Sequence, residues 1–246
     1  TIDAFNEALS GLDHKILIPV DYSSGADGVI ASPDIASLSD IKGKRVAFEK
    51  GTLEEFFLQL AMDDNQISMD SITPVYADPE VSARLWADKK VDVAVTYEPS
   101  MSQALAKRTG KIIYSSKKAP GAIIDVVAFR SDFLQEYPEL ADGIVRAYLR
   151  SLQYLKDHPK ESYEILAKEL QTTPEDALHQ LEGITVLDRE GIQSAFTFAP
   201  GLQSLYTNLR MVKAFKSKST DQAKNIDSDS LVDSQFFRRA AASVNP

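Results

Sequence analysis

Between residues 36 and 120, short apolar runs alternate with helical segments, and this alternation constrains the fold more than any other feature of the chain. The runs RVAF at 45–48 and VDVAV at 91–95 have the length and composition of buried strands. The segments that begin near Thr52 and Pro79 carry the apolar stripes of amphipathic helices. Strands and helices that alternate over short connections predict an open, mostly parallel α/β sheet.

The flanking segments predict a second α/β region that is richer in helices. The runs KILIPV at 15–20 and DGVIAS at 27–32 come before the alternating region, and AIIDVVAF at 122–129 follows it. All three have the apolar character of strands, whereas successive helical patterns follow Arg130. Trp86 shares a predicted helix face with apolar neighbours, so we expect it in the core.

The composition argues against several classes of function. The chain has 36 acidic and 27 basic side chains, so it lacks the basic excess of a nucleic-acid-binding protein. It contains no cysteine, which excludes disulfides, thiolate metal sites and cysteine nucleophiles. The three histidines, His14, His158 and His179, are widely spaced, which predicts no metal site. Without a nucleotide-binding glycine motif or a nucleophile elbow, the sequence predicts no cofactor and no catalysis.

Four segments in a fixed order resemble one known family. These segments are DYSSGADGVIA at 21–31, SLSDIKGKRVAFEKGT at 37–52, VDVAVTYEP at 91–99 and PGAIIDVVAFRSDFLQEYPEL at 120–140. Together they resemble the nitrate/sulfonate/taurine-type solute-binding proteins, a superfamily that includes the yeast pyrimidine synthases. The resemblance implies a type II periplasmic-binding-protein fold, in which two hinge strands join two α/β lobes and the ligand lies in the cleft between them.

The resemblance also implies a domain organisation. Lobe one would comprise residues 1–31 and 126–246, lobe two residues 36–120, and the hinge strands residues 28–33 and 121–129. Family members usually begin with a strand-helix-strand-helix-strand stretch that has no counterpart here, so we expect lobe one to be incomplete at its N-terminal side. The chain contains no signal peptide and no run of about 18 apolar residues.

The function implied by the resemblance is the substrate-binding component of an ABC importer. Such a protein captures a small organic ion, here a taurine-like or alkanesulfonate-like compound or a related nitrogen-bearing one. The expected partners are this ligand and a membrane permease, and the protein would be a monomer in the periplasm or outside the cell, with or without a lipid anchor. Two alternatives stay open: a ligand-sensing domain of a signalling protein, and a thiamine-pyrimidine synthase-like enzyme, whose cysteine-rich motif is absent.

Candidate ligand-binding residues in lobe one follow the run at 15–20. Tyr22, Ser23, Ser24 and Asp27 combine hydroxyls, a carboxylate and backbone amides beside glycines, which allow the main chain to approach a ligand. The alternative interpretation is an ordinary serine- and glycine-rich turn.

In lobe two, candidate residues follow two of the predicted strands. Gly51 and Thr52 begin a helix whose N-terminal amides favour an anion, although Thr52 with Glu55 also fits a capping box. Tyr97 and Glu98 lie at the carboxyl end of a strand, where ligands bind in open α/β sheets, although Glu98 could instead cap the next helix. Since both motifs follow strands of one parallel sheet, we expect them on the same rim.

Asp125 is the remaining candidate because it interrupts the apolar run at 122–129. We expect its carboxylate to be shielded from bulk water, since its neighbours are isoleucine and valine. In the taurine-type relatives an acid in the matching segment meets the ammonium group of the ligand. The alternative is a buried hydrogen bond to the hinge backbone. If Asp125 contacts the ligand or controls the hinge, we expect Asp125→Asn to weaken ligand binding more than it weakens the fold.

Overall fold

The computed structural model describes residues 1–243, apart from the side chain of His179. The strands are β1 His14–Ser23, β2 Asp27–Ala31, β3 Arg45–Phe48, β4 Thr73–Tyr76, β5 Val93–Tyr97, β6 Lys111–Ser115, β7 Ile124–Arg130 and β8 Ile184–Val186. The helices are α1 Ile2–Leu9, α2 Leu53–Asp64, α3 Pro79–Ala87, α4 Ser100–Lys107, α5 Ser131–Glu136, α6 Pro138–Asp157, α7 Pro159–Glu169, α8 Pro174–Glu182, α9 Arg189–Ala195, α10 Leu205–Lys216, α11 Gln222–Asn225 and α12 Gln235–Ser243. None of the helices in this described part is long and apolar enough to cross a membrane.

The chain divides into two compact units. Unit 2 is the contiguous segment Ser23–Ile123, and unit 1 combines Thr1–Tyr22 with the chain from Ile124 onward. Residues 23–31, which the sequence analysis assigned to lobe one, belong to unit 2 because β2 pairs with β5 and β6 there. Residues 28–33, the expected first hinge strand, therefore lie within unit 2, and the chain passes from unit 1 into unit 2 directly after Tyr22.

Unit 2 is built on a five-stranded sheet with the order β4-β3-β5-β2-β6. The apolar runs predicted as β3 and β5 form its centre, and β3 pairs in parallel with both β4 and β5. The four strands that come from residues 36–120, β3 to β6, all run in one direction, in keeping with the expected mostly parallel sheet. The sheet is mixed because β2, which precedes the alternating region, inserts between β5 and β6 and runs antiparallel to both.

Trp86 on α3 is fully buried in the core of unit 2, as expected from its helix face. It packs in a cluster with Ile30, Ala47 and Ala94 from three strands of the sheet. The guanidinium of Arg108 lies 4.7 Å from the centre of the Trp86 ring and donates hydrogen bonds to the carbonyls of Trp86 and Val91 and to the Ser32 hydroxyl. Arg108 thereby joins the end of α4 to α3 and to the sheet.

Unit 1 contains a three-stranded sheet with the order β7-β1-β8 and most of the helices. β1 is the central strand. It pairs antiparallel with β7, and its Val20 carbonyl accepts a hydrogen bond from the amide of Leu187 just after β8. The longest helix of the described chain, α6, packs against α12. The apolar residues of β1 are fully buried at Ile16, Leu17 and Ile18.

In the described part of the chain, β7 is an edge strand of this sheet and pairs with a neighbouring strand on one side only. Its exposure varies along the strand: Ile124 is buried, Asp125 is exposed, and Val126 and Val127 are partly covered. The expectation that Asp125 is shielded from water was therefore wrong. Apolar neighbours in sequence do not bury a side chain on an edge strand, because successive residues point to opposite faces.

Candidate functional site

Gly51-Thr52 and Tyr97-Glu98 lie on the same rim of unit 2, as the sequence analysis predicted. They follow β3 and β5, which are parallel neighbours, so both strands end at one edge of the sheet. Gly51 turns the chain into α2 with a φ of 78°, a conformation that glycine adopts without steric cost. The local sequence thus positions a helix N-terminus beside an aromatic side chain.

Two carboxylates of α2 fold back toward the N-terminus of their own helix. The amide of Gly51 donates to Oε2 of Glu55 at 2.6 Å, and the hydroxyl of Thr52 donates to Oε2 of Glu54 at 2.7 Å. The expected capping box of Thr52 and Glu55 was wrong, because the Thr52 hydroxyl is taken by Glu54 and by the Glu49 carbonyl, and Glu55 reaches Gly51 instead. An anionic ligand at this helix end would meet two negative charges already in place.

Tyr97 lies within an acidic part of this rim. Its side chain is 36% exposed, and it is the register partner of Asp27 across β2 and β5. The pKa of the Tyr97 phenol is raised by burial and then by four nearby carboxylates, those of Glu54, Glu80, Asp27 and Glu49. We call Tyr97 and these four acids the acidic rim. Its negative charges favour a positively charged or strongly hydrogen-bond-donating ligand.

Glu98 caps the helix that follows it. Its carboxylate accepts hydrogen bonds from the Ser102 amide at 3.1 Å and from the Ser102 hydroxyl at 2.7 Å, within the first turn of α4. This is the structural alternative given for Glu98 in the sequence analysis, and a carboxylate so engaged has less capacity left for a ligand.

The serine- and glycine-rich segment after β1 is held by a buried hydroxyl network within unit 2. The Ser23 hydroxyl lies 2.7 Å from the hydroxyl of Ser116, which also accepts from the Gly25 amide at 2.7 Å. Gly25 has a φ of 124°, which disfavours other residues. Of the candidate hydroxyls here, Ser23 is thus engaged in the fold, whereas Ser24 is partly exposed.

Tyr22 belongs to unit 1 and is buried at the end of β1. Its phenol donates to the carbonyl of Gln203 at 2.7 Å, which holds the chain before α10 against the strand. Burial raises the pKa of Tyr22 to about 12, so the phenol stays protonated and remains a donor at neutral pH. This contact identifies a structural role for Tyr22.

Asp125 lies directly opposite Asp21 in the antiparallel register of β7 and β1. Residues opposite each other share one face of a sheet, with Cβ atoms about 5 Å apart. Asp21 is only 7% exposed, and burial and then Asp125 raise its pKa to about 6. Asp125 also lines a cavity of about 380 Å³ formed by residues of α1 and β7.

Sequence reasoning missed Asp21 because the apolar run was taken to end at Val20, whereas β1 continues to Ser23. The pairing of two acids across strands leaves no signal in the spacing of the sequence. His14, by contrast, is a core residue: it is 4% exposed and its Nδ1 lies 3.0 Å from the Leu12 carbonyl. Within the described residues, no group of three or more acids and histidines is arranged to hold a metal ion.

Known proteins share this fold across both units. The chain superposes on the periplasmic aliphatic sulphonate binding protein SsuA from Escherichia coli with a TM-score of 0.74 and 15% identity, covering 96% of this chain and 79% of SsuA. It also superposes on the desulfurization enzyme DSZB with a TM-score of 0.66 and 13% identity, covering 94% of this chain and 79% of the enzyme. The chain therefore has the two-unit α/β fold of periplasmic binding proteins, as predicted.

Sequence comparison gives a relative of the same type. A protein from Brucella abortus (strain 2308), named as a binding protein, is 23% identical over 159 residues. This match covers 62% of the chain and 49% of the relative, so the chain matches about half the length of that protein. The family model described as NMT1/THI5 like matches residues 22–162. That match runs from the end of β1 through unit 2 and into α7, more than half of the chain, and this chain belongs to the NMT1/THI5-like family.

Proposed function

We propose that this chain is the ligand-binding part of the substrate-binding component of an ABC importer, and that it captures a small organic ion. In this proposal it works in the periplasm or outside the cell as a monomer, delivers its ligand to a membrane permease, and catalyses no reaction. Taurine, alkanesulfonates and related nitrogen-bearing compounds are the ligands to consider first.

The observation that carries this proposal is the gathering of polar and aromatic side chains at strand ends in a binding-protein fold. Tyr97 and the carboxylates around it lie at the carboxyl ends of adjacent parallel strands, which is where open α/β sheets bind ligands. The membership of the NMT1/THI5-like family and the likeness to SsuA support the same function.

We propose the following ligand contacts, each considered within its own unit. The contacts from unit 2 would be Gly51, Thr52, Tyr97, Asp27 and Ser24. Glu98 would contribute least, because its carboxylate already accepts two hydrogen bonds from Ser102. Unit 1 would contribute Asp125. Tyr22 and Ser23 would act mainly by holding this segment in position, because their hydroxyls already have partners in the fold.

A thermal-shift screen tests the proposal. The protein is heated with sulfonates, amino acids, polyamines and pyrimidines, and a ligand that binds the native state raises the melting temperature by mass action. We expect at least one compound to give a saturable rise, with one-to-one stoichiometry by calorimetry. A protein that responds to no compound of any of these classes would contradict the proposal.

Catalysis is the second candidate, because DSZB has the same fold and is an enzyme. We expect the ligand found in the screen to be recovered chemically unchanged after long incubation with the protein, as judged by mass spectrometry. Conversion of the ligand at a rate proportional to protein concentration would establish an enzyme instead. If the protein is a sensor instead, its full-length gene encodes a signalling domain in the same polypeptide. The sequence of the full-length gene therefore tests this alternative.

A further inference from the structure

Strand β6 ends at the same edge of the unit 2 sheet as β3 and β5. Both β5 and β6 run antiparallel to β2, so they run parallel to each other. Asp27, at the start of β2, pairs with Tyr97 at the end of β5. The next residue, Gly28, pairs with Ser115 at the end of β6. The residues that follow β6 therefore lie at the edge of the sheet that carries the acidic rim, although the sequence analysis placed no candidate there.

The turn that follows β6 is fixed to the serine- and glycine-rich segment before β2. Ser116 is fully buried, and its hydroxyl lies 2.7 Å from the hydroxyl of Ser23 and accepts a hydrogen bond from the Gly25 amide at 2.7 Å. The Ser116 carbonyl accepts a hydrogen bond from the Ala119 amide at 3.0 Å, which closes a short turn. Lys117 follows Ser116 directly, so its main chain is held beside a segment that contains candidate ligand contacts.

The side chain of Lys117 lies across Gly25. A Cβ atom built on Gly25 would lie 2.7 Å from Cε of Lys117 and 3.5 Å from both its Cγ and its Cδ. The stem of the lysine therefore occupies the space that a side chain at position 25 would need. Lysine commonly packs its stem in this way and leaves its ammonium group in water, and Lys117 is an exposed residue. The packed stem holds the ammonium group near this segment.

The ammonium group of Lys117 keeps its capacity for a ligand. Within residues 1–243 it forms no ion pair and lies over no aromatic ring. Two other lysines that follow strands at this edge differ in this respect. The ammonium of Lys50 lies 5.0 Å from the centre of the Tyr76 ring, and that of Lys118 lies 5.6 Å from the centre of the Tyr114 ring. The N-terminus of α2, the anion site expected from the sequence, already has two carboxylates of its own helix beside it.

We propose that Lys117 is a ligand-binding residue and that its ammonium group binds the anionic group of the ligand, a sulfonate or a carboxylate. This inference rests on the proposed function and specifies one contact and the chemical group that it recognises. The ammonium is a point charge with three rotatable donors, which suits the oxygens of either group. Gly25 and Ser116 are then positioning residues, because Gly25 leaves room for the stem and Ser116 fixes the turn.

The test compares probes with and without an anionic group. The protein is titrated by calorimetry with taurine, β-alanine, butane-1-sulfonate and 1,4-diaminobutane at millimolar concentration, together with any amino acid or sulfonate that responds in the wider screen. We expect at least one compound that carries a sulfonate or a carboxylate to bind more tightly than 1,4-diaminobutane. Lys117→Gln should weaken binding of that compound at least about tenfold, because its anionic group loses a charged donor. Lys117→Arg keeps the charge and should lose clearly less affinity.

Lys118→Gln is the matched control, since it removes the same charge from the next residue, whose ammonium lies over the Tyr114 ring. It should leave the affinity unchanged. An unchanged affinity in Lys117→Gln, or an equal loss in Lys117→Gln and Lys118→Gln, would overturn the inference and leave the proposed function standing. Binding only of compounds without an anionic group would do the same, whereas no response to any compound in either experiment would overturn both.

Discussion

The carboxylate of Asp21 is held in its ionised form at neutral pH against two effects, burial and the charge of Asp125. Its folded-state pKa of about 6 compares with an ordinary value of 3.8, so folding favours the protonated form. The stability that this group contributes is complete below about pH 4 and is lost as the pH rises through 6. The charged group that faces Asp21 across the sheet is Asp125 on β7, and the phenol of Tyr148 lies nearby.

We therefore expect Asp21→Asn to stabilise the ligand-free protein at neutral pH. A pKa difference of about two units corresponds to at most about 3 kcal/mol in the free energy of unfolding at pH 7.5, and the difference should shrink toward pH 4. Urea denaturation of both proteins at the two pH values measures it. Asp70→Asn, which removes an exposed acid of unit 2, should show no such gain, and a loss of stability in Asp21→Asn at pH 7.5 would mean that the carboxylate has a structural partner.

Among the elements, the positions of the strands could be predicted from the sequence more completely than the burial of their side chains. The runs at β3 and β5 are apolar because both faces of a central strand are covered, and that pattern identifies them directly. The same kind of run at β7 misled the interpretation of Asp125, since exposure depends on where the strand lies in its sheet. The start of α2 was predicted correctly. Its capping was not, because the Thr52 hydroxyl bonds to Glu54 and Glu55 accepts from the Gly51 amide, and spacing alone does not determine these partners.

The start of α2 also gives a test at this scale. Glu55→Ala removes the acceptor of the Gly51 amide and a favourable charge at the helix N-terminus. We expect a loss of about 0.5–2 kcal/mol in the free energy of unfolding, the range for lost N-terminal caps. Glu55→Gln keeps an acceptor and should lose clearly less, as measured by urea denaturation. Equal losses in both variants would assign the effect to charge alone, and no loss in either would show that this contact does not stabilise α2.

At the scale of the whole molecule, the two units differ in how many segments of the chain build them. Unit 2 is one uninterrupted segment with its own five-stranded sheet and a core around Trp86, whereas unit 1 needs two distant segments. In unit 1 the central strand β1 comes from the first segment, while β7 and β8 come from the second. Contacts within unit 2 therefore close shorter loops than those that assemble unit 1.

This asymmetry predicts that residues 23–123 fold alone and that residues 124–246 do not. The first fragment keeps every strand of its sheet, whereas the second loses β1. Far-UV circular dichroism and urea unfolding distinguish the two. Trp86 is the single tryptophan of the protein, so its fluorescence reports on unit 2 in the fragment and in the full chain. A fragment 23–123 without a cooperative transition would contradict the prediction.

The carboxylates at the start of α2 compete with dissolved anions for the N-terminus of this helix. Helix N-termini commonly bind phosphate, sulfate or carboxylate groups. Here Glu54 and Glu55 are tethered to the same helix, so their effective concentration at its N-terminus far exceeds that of dissolved salts. We therefore expect dissolved inorganic anions to bind only weakly at this helix end, because two carboxylates already place negative charge there.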